Sequence, residues 1–358
     1  MVTAQPSSSD RSFSHEPSAA GRALIAVDPA LRLANVVGLR FGGLLPADAL
    51  REAGVLPHSL TRLCREGVLH SIRRGVYVTG ERWRAAHVDE RYRLMVRATA
   101  LVAGNPPVLS HHSAAVLRGL PIIGRWPSTV HTMTPGASGG SNARFTTSHR
   151  GPVPEEVHEI EGCRVTSLAR TLVDVAASSP FLVGVTMVDH ALRVEQERAE
   201  RERRGDGPVR PALTREDLYG ELALVNPRTG RRRAERVIAF ANPLAANPGE
   251  TLSRVRIFQL GFAAPELQVC FPDILGGNAW VDFFWRRVRK IGEFDGFLKY
   301  GVGPVLGDRD PSSVVWQEKQ REDALRARVN SFDRWGWDLA LSPARFHAFL
   351  TEREVPRA

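Results

Sequence analysis

Four acidic residues towards the end of the chain have the types and spacing that could do chemistry. Asp282 interrupts the apolar run AWVDFFW, Glu293 and Asp295 interrupt IGEFDGF, and Glu250 lies in a preceding stretch, NPGETLSRVRIFQLG. A carboxylate buried in a strand is costly unless a cation or a set of donors compensates it. Residues two apart on a strand share a face, so Glu293 and Asp295 point the same way and Asp282 can join them from a neighbouring strand. Hard oxygen ligands gathered in this way suit Mg²⁺ or Mn²⁺, which polarises a phosphodiester and lowers the pKa of an attacking water. The expected metal ligands are Glu250, Asp282 and Glu293. Lys299 or Lys290 would then stabilise charge developing on the phosphate; the chain holds three lysines in all, and these two flank the acidic strand. The same carboxylates could instead pair with Arg286, Arg287 or Arg289 in an ordinary salt-bridge network.

The elements that must position these residues follow from periodicity. After Asn247 the order reads as a helix, an apolar strand PELQVCFPD, the strand AWVDFFW, a basic turn RRVRK, the strand IGEFDGF and a long helix VVWQEKQREDALRARV. Trp335 to Leu341 is expected as a closing strand, followed by a short helix, which makes residues 247–350 an α/β domain.

Near the other end, residues 30–80 read as helices followed by a hairpin. In LLPADALREAG the residues Leu45, Ala49, Leu50 and Ala53 fall at helical spacing before Gly54. In VLPHSLTRLCREG, Leu60, Leu63 and Cys64 form a buried stripe and leave His58, Ser59, Arg62 and Arg65 facing outward. The ribbon VLHSIRRGVYV bends at Arg74-Gly75. Two helices joined by a short turn and followed by a basic ribbon give the order of a winged helix-turn-helix. In that arrangement the second helix enters the major groove of double-stranded DNA while Arg73 and Arg74 reach phosphate or the minor groove. A helix-hairpin protein-interaction module with solvated arginines is the alternative.

Residues 90–193 are expected to form an α/β middle domain. Ser110 is a good N-cap for one helix and Thr166 or Ser167 for another; VHTMTP reads as a strand, and PGASGGSNARFTTSHRG as a flexible basic loop. His111 and His112 point to different faces of their helix, and no carboxylate or cysteine is spaced to join them, so they read as core histidines. Residues 194–246, rich in EQERAERERR and RRR, are expected as a charged linker or helical region at a domain boundary. Its triplet Arg231, Arg232 and Arg233 could touch phosphate or simply form a solvated face. Residues 1–29 read as a disordered tail.

Composition bounds these readings. A length of 358 residues suggests two or three folding units, and 43% hydrophobic with 24% charged residues is an ordinary globular balance. A net charge of +9 favours a polyanionic partner. The three cysteines, Cys64, Cys163 and Cys270, show neither a disulfide framework nor zinc spacing, which fits a reducing cytoplasm. No apolar run is long enough to span a membrane and the N-terminus lacks the core of a signal peptide, so no membrane partner is expected.

The run from Leu44 to Val78, above all SIRRGVYV, resembles the N-terminal domain of the AbiEi-type antitoxins of type IV toxin–antitoxin systems. The phrases VLSHHSAAVLRGLP, VHTMTP and GCRVTSLARTLVDVAA continue the resemblance. The resemblance implies a winged helix that binds promoter DNA, and a nucleotidyltransferase-type toxin as a partner. The C-terminal phrases ELQV, VDFFW, GEFDGFLKYG and EKQREDALR resemble the PD-(D/E)xK nuclease superfamily, in its very-short-patch-repair endonuclease branch. That resemblance implies a restriction-endonuclease-like domain with Asp282, Glu293, Asp295 and Lys299 as catalytic residues. Asp295 stands where the superfamily has lysine, and Lys299 is the available replacement. Two functions are expected: a DNA-binding, antitoxin-like transcriptional regulator with a nuclease-like C-terminal domain, or a metal-dependent DNA endonuclease of defence or repair targeted by its winged helix. A pure interaction protein is a third.

Overall fold

Pro29 opens the first helix of the computed structural model, which describes residues 29–136, 140–151, 154, 156–205, 207–227, 229–296 and 311–358. Most of the expected tail and Lys299 lie outside the described residues. The architecture is mixed α+β and divides into two units, residues 1–86 and 87–358.

The first unit runs α1 (Pro29–Arg40), β1 (Leu45–Pro46), α2 (Ala47–Glu52), α3 (Pro57–Arg65), β2 (Leu69–Arg73), β3 (Val76–Thr79) and α4 (Gly80–Ala85), with its strands in the order β1-β3-β2. Ala34, Val37, Leu50, Leu60, Leu63 and Leu69 bury into one cluster. Leu45, expected on the α2 helix, pairs instead with Tyr77 across β1 and β3. The cause is Pro46, whose ring disfavours helical backbone in the residue before it. Gly75, at φ +80, makes the turn between β2 and β3 that a side chain would strain.

The second unit begins with α5 (Val88–Leu101), β4 (Val108–Leu109), α6 (His111–Leu117), β5 (Val130–Pro135), β6 (Gly140–Asn142), β7 (Thr146–Gly151), β8 (Val157–Ile160), β9 (Cys163–Thr166) and α7 (Leu168–Ser178). Its six strands lie in the order β6-β7-β5-β4-β9-β8, with β5–β7 and β4–β9 parallel. The stretch expected as a flexible basic loop therefore holds two strands. Its Ser, Thr and Gly content reads as loop, yet β7 pairs along its whole length with β5.

Next come α8 (Phe181–Arg204), α9 (Arg215–Val225) and α10 (Arg231–Phe240). Residues 194–246 are thus no boundary: α8 continues through the expected break at residue 194, and Leu218, Leu222, Ala234, Val237 and Ile238 share a cluster with α7 and α8. The charged residues occupy the outer faces of helices whose inner faces are apolar. The division between the two units falls at Ala86, between the stretches read as 30–80 and 90–193.

The chain ends with α11 (Pro248–Gln259), β10 (Glu266–Ile274), β11 (Gly277–Trp285), a 3₁₀ turn (Arg286–Val288), β12 (Lys290–Asp295), α12 (Pro311–Arg326), β13 (Ser331–Gly336), α13 (Trp337–Ala340) and α14 (Pro343–Glu352). The sheet order is β10-β11-β12-β13, antiparallel except for the β12–β13 pair. The closing strand ends at Gly336, and Trp337–Ala340 of the expected strand is helical. Phe283, Trp285, Phe294 and Trp335 pack against Leu252, Ile257, Phe346 and Leu350, while Phe284, Ile291 and Phe332 pack with Leu325 of α12. Among the described residues no helix is long and apolar enough to cross a membrane.

Candidate functional site

The helix α11 starts with Asn247, whose side-chain oxygen accepts from the amides of Gly249 and Glu250. This cap fixes the first turn and sets Glu250 beside the sheet. Gly249 makes the close approach feasible: a Cβ there would stand 1.9 Å from the Phe294 ring. Glu250 is only 3% exposed and accepts from the Ala246 amide at 2.8 Å, from Asn247 Nδ2 at 2.6 Å and from Gln268 Nε2 at 3.1 Å. The same Gln268 nitrogen lies 3.3 Å from Asp282 Oδ1, while Asp282 Oδ2 accepts from the Phe294 amide at 2.8 Å. One glutamine amide therefore bridges two carboxylates. Burial, and then the charge of Asp282, push Glu250 up to about 7. Burial also raises Asp282, against the Phe294 amide and Gln268.

Glu293 takes a different part. The pairing of Phe283 with Gly292 and of Phe284 with Ile291 sets Asp282 opposite Glu293, on the face that carries α12. Arg321 of α12 reaches Glu293 Oε1 at 2.9 Å and Arg334 of β13 reaches Oε2 at 2.9 Å. Glu318 and Glu322 complete this network through Arg321 and Arg334. Burial raises Glu293 even so, against both guanidiniums. The expected salt-bridge partners Arg286, Arg287 and Arg289 are replaced by these two; Arg286 pairs with Glu266 at 2.6 Å. Asp295 ends β12 on the exposed side.

Lys290 does not serve the acidic site. It alternates with Glu293 on β12, is buried, and donates to Asp333 at 2.9 Å. Of the expected metal ligands, Glu250 and Asp282 fit a hard cation, being a buried and a half-buried carboxylate that share one neutral donor. The trio with Glu293 does not. Among the described residues the one group of three His, Cys, Asp or Glu side chains whose ligand atoms lie within 4.8 Å of one another is elsewhere, and two arginines already occupy Glu293. What the acidic pair can do unaided is hold a proton at neutral pH.

In the first unit, α3 buries Leu60 and Leu63 and exposes His58, Arg62 and Arg65 on its other side, with Ser59 half-buried. Arg62 contacts Glu66 at 3.5 Å, a spacing that leaves the guanidinium weakly engaged with that carboxylate. On the hairpin the two arginines differ: Arg74 is exposed, whereas Arg73 is half-buried and burial lowers its pKa. On α10 all three arginines are exposed; Arg231 is paired with Glu235 at 3.0 Å and Arg233 donates to the carbonyls of Ala177 and Ser179.

The second unit also gathers four histidines that sequence reasoning kept apart. His111 and His112 begin α6, and against expectation a carboxylate does stand near them: Asp174 of α7 lies 3.8 Å from His111 Nδ1. His131 of β5 and His149 of β7 join from the sheet. The strand reading of VHTMTP already placed His131, whereas TTSHRG is polar throughout and carries no signal for His149, which reaches the group only because β7 pairs with β5. No protein-family model matches the chain, and no curated protein matches it.

Proposed function

We propose that the protein is a DNA-binding transcriptional regulator of the antitoxin type, acting on double-stranded DNA in the cytoplasm, with the first unit as a winged helix-turn-helix. The observation that carries this reading is the order α2, short turn, α3, hairpin, with His58, Arg62 and Arg65 exposed on α3 and Arg74 at the hairpin tip. A helix of this kind fits a major groove, and a hairpin arginine reaches the flanking backbone. Charge supports it: residues 1–86 hold eleven arginines against seven acids, a net +4, so almost half of the chain's +9 sits in about a quarter of its length. By analogy with the antitoxins that the sequence resembles, its partner would be a nucleotidyltransferase-type toxin. Pull-down with the product of an adjacent toxin gene tests that pairing. For DNA, fluorescence anisotropy with the upstream sequence of the protein's own gene is expected to show saturable binding. Arg62→Ala/Arg65→Ala should weaken it at least tenfold with an unchanged circular-dichroism spectrum. Equal affinity for the double variant would remove α3 from the interface.

A metal-dependent DNA endonuclease is favoured by one observation, the bridged pair Glu250 and Asp282 within the order α11-β10-β11-β12-α12-β13. By analogy with the restriction-endonuclease-like domain that the sequence resembles, the ion would be Mg²⁺ or Mn²⁺ held by Glu250 and Asp282. Supercoiled, linear and mismatched DNA incubated in Mg²⁺, Mn²⁺ or EDTA decide it. Cleavage by the native chain that is lost in Asp282→Asn makes the protein a nuclease. Binding by both without cleavage leaves the regulator.

A further inference from the structure

We infer that His111, His131 and His149 form a binding site for a divalent ion of the zinc, cobalt and nickel class, independent of both readings above. The three side chains come from three elements. Parallel pairing sets His131 opposite Thr147 and Met133 opposite His149, so the two strand histidines share a face, and α6 brings His111 onto it. His131 Nδ1 lies 2.9 Å from His149 Nε2, and the His111 ring stacks on that of His149 with centroids 3.7 Å apart. One nitrogen from each ring falls within 4.8 Å of the other two. Zinc–nitrogen bonds of about 2.0–2.1 Å set neighbouring ligand nitrogens about 3.3 Å apart in a tetrahedral shell, so modest ring rotations close this group on one ion. An all-imidazole set selects borderline transition metals over magnesium or calcium, which prefer oxygen.

The surroundings are those of a prepared ligand set. Burial, and then neighbouring histidines, hold His111 well below its ordinary value and His131 down to about 3, and burial also lowers His149. The Nδ1 of His111 meets Ser110 Oγ at 2.9 Å and Asp174 Oδ2 at 3.8 Å. That is where a metal-ligating histidine ordinarily has a carboxylate or hydroxyl that fixes its tautomer. Asp174 Oδ2 is buried and has no hydrogen-bond partner, while Oδ1 is held by Arg170 at 3.0 Å. A metal on Nε2 would keep a proton on Nδ1, facing that orphaned oxygen. Met133 and Arg170 also border the set, and the charge of Arg170 is met by Asp174. Finally, His111 has φ +50, a left-handed backbone uncommon outside glycine that concentrates at functional positions. His112 stands outside the group, its Nε2 3.3 Å from Ser179 Oγ.

The full chain, stripped with a strong chelator and titrated with Co²⁺, is expected to bind about one equivalent with ligand-field absorption in the visible, and Zn²⁺ should displace it. His131→Ala and His149→Ala should each weaken Co²⁺ binding by well over tenfold, Asp174→Asn by about tenfold as an outer-shell change does, and His158→Ala on β8 should leave it unchanged. Because the alanine variants could unfold, X-ray absorption on the zinc-loaded native chain supplies a second readout, with imidazole scattering expected from about three rings. Failure of the native chain to take up Co²⁺ or Zn²⁺, retention of binding in folded His131→Ala/His149→Ala, or a sulfur-dominated shell would overturn the proposal.

Discussion

Glu250 is the residue whose titration the acidic site alters most. Burial and the charge of Asp282 raise its carboxyl from the ordinary 4.5 to about 7 in the folded protein. Between those values the native state keeps a proton that the unfolded chain has released, so stability falls as pH rises through this window and is lowest above it. A gap of that size corresponds to roughly 3 kcal/mol at about 1.4 kcal/mol per pKa unit. Glu250→Gln keeps an acceptor for the Ala246 amide and removes the charge. In metal-free buffer the variant should be more stable than the native chain by about 2–3 kcal/mol above pH 7, and its melting temperature should lose most of the decline between pH 5 and 8; identical profiles for the two proteins would show that Asp282 is the group that holds the proton. That an acidic group gathers here was legible from Asp282 and Glu293, which interrupt apolar runs. Its partners were not. Gln268 carries no periodic signal, and Arg321 and Arg334 reach Glu293 from α12 and β13 because tertiary packing brings those elements over β12.

At the scale of elements, the site depends on how closely α11 lies on the sheet. Two glycines permit the close packing around β12: a Cβ at Gly292 would come 2.4 Å from the Trp335 ring, and one at Gly249 would strike Phe294. Gly249→Ala therefore overpacks the contact and should cost about 1–3 kcal/mol. It should also move the first turn of α11 away from β11, loosening the Glu250–Gln268–Asp282 bridge, so the pH-dependent fall in stability should shrink along with the stability itself. Denaturant unfolding at pH 5.5 and 8 separates this from simple destabilisation, which lowers both values equally. Gly249 could not have been singled out in the sequence, since a glycine after Asn-Pro reads only as the start of a helix. The strands β11 and β12 were readable because Asp282, Glu293 and Asp295 interrupt short apolar runs bounded by turn residues. The strand β7 was not, because TTSHRG is polar throughout and becomes a strand by pairing with β5. The same blindness hid His149, and with it the histidine group.

For the whole molecule the question is where the positive charge acts. The first unit carries +4 over 86 residues and the second +5 over 272, so a polyanion meets a denser positive field on the first. Composition alone announced an affinity for polyanions but could not locate it, because arginines in the second unit are spent largely on internal partners: Arg254 on Asp189, Arg321 and Arg334 on Glu293, Arg231 on Glu235. Each phosphate contact releases bound counterions, and the slope of log K against log salt falls by about 0.9 per contact removed. If DNA lies on α3 and the hairpin, Arg62→Ala/Arg65→Ala/Arg74→Ala should flatten that slope by nearly 3, at about 0.9 for each of the three contacts. The matching triple change at Arg231, Arg232 and Arg233 should leave it as it was. Anisotropy titrations of the two variants and the native chain across a salt series give the comparison. The reverse result, a loss confined to the α10 variant, would move the DNA-binding surface to the second unit and leave the first as a protein-interaction module.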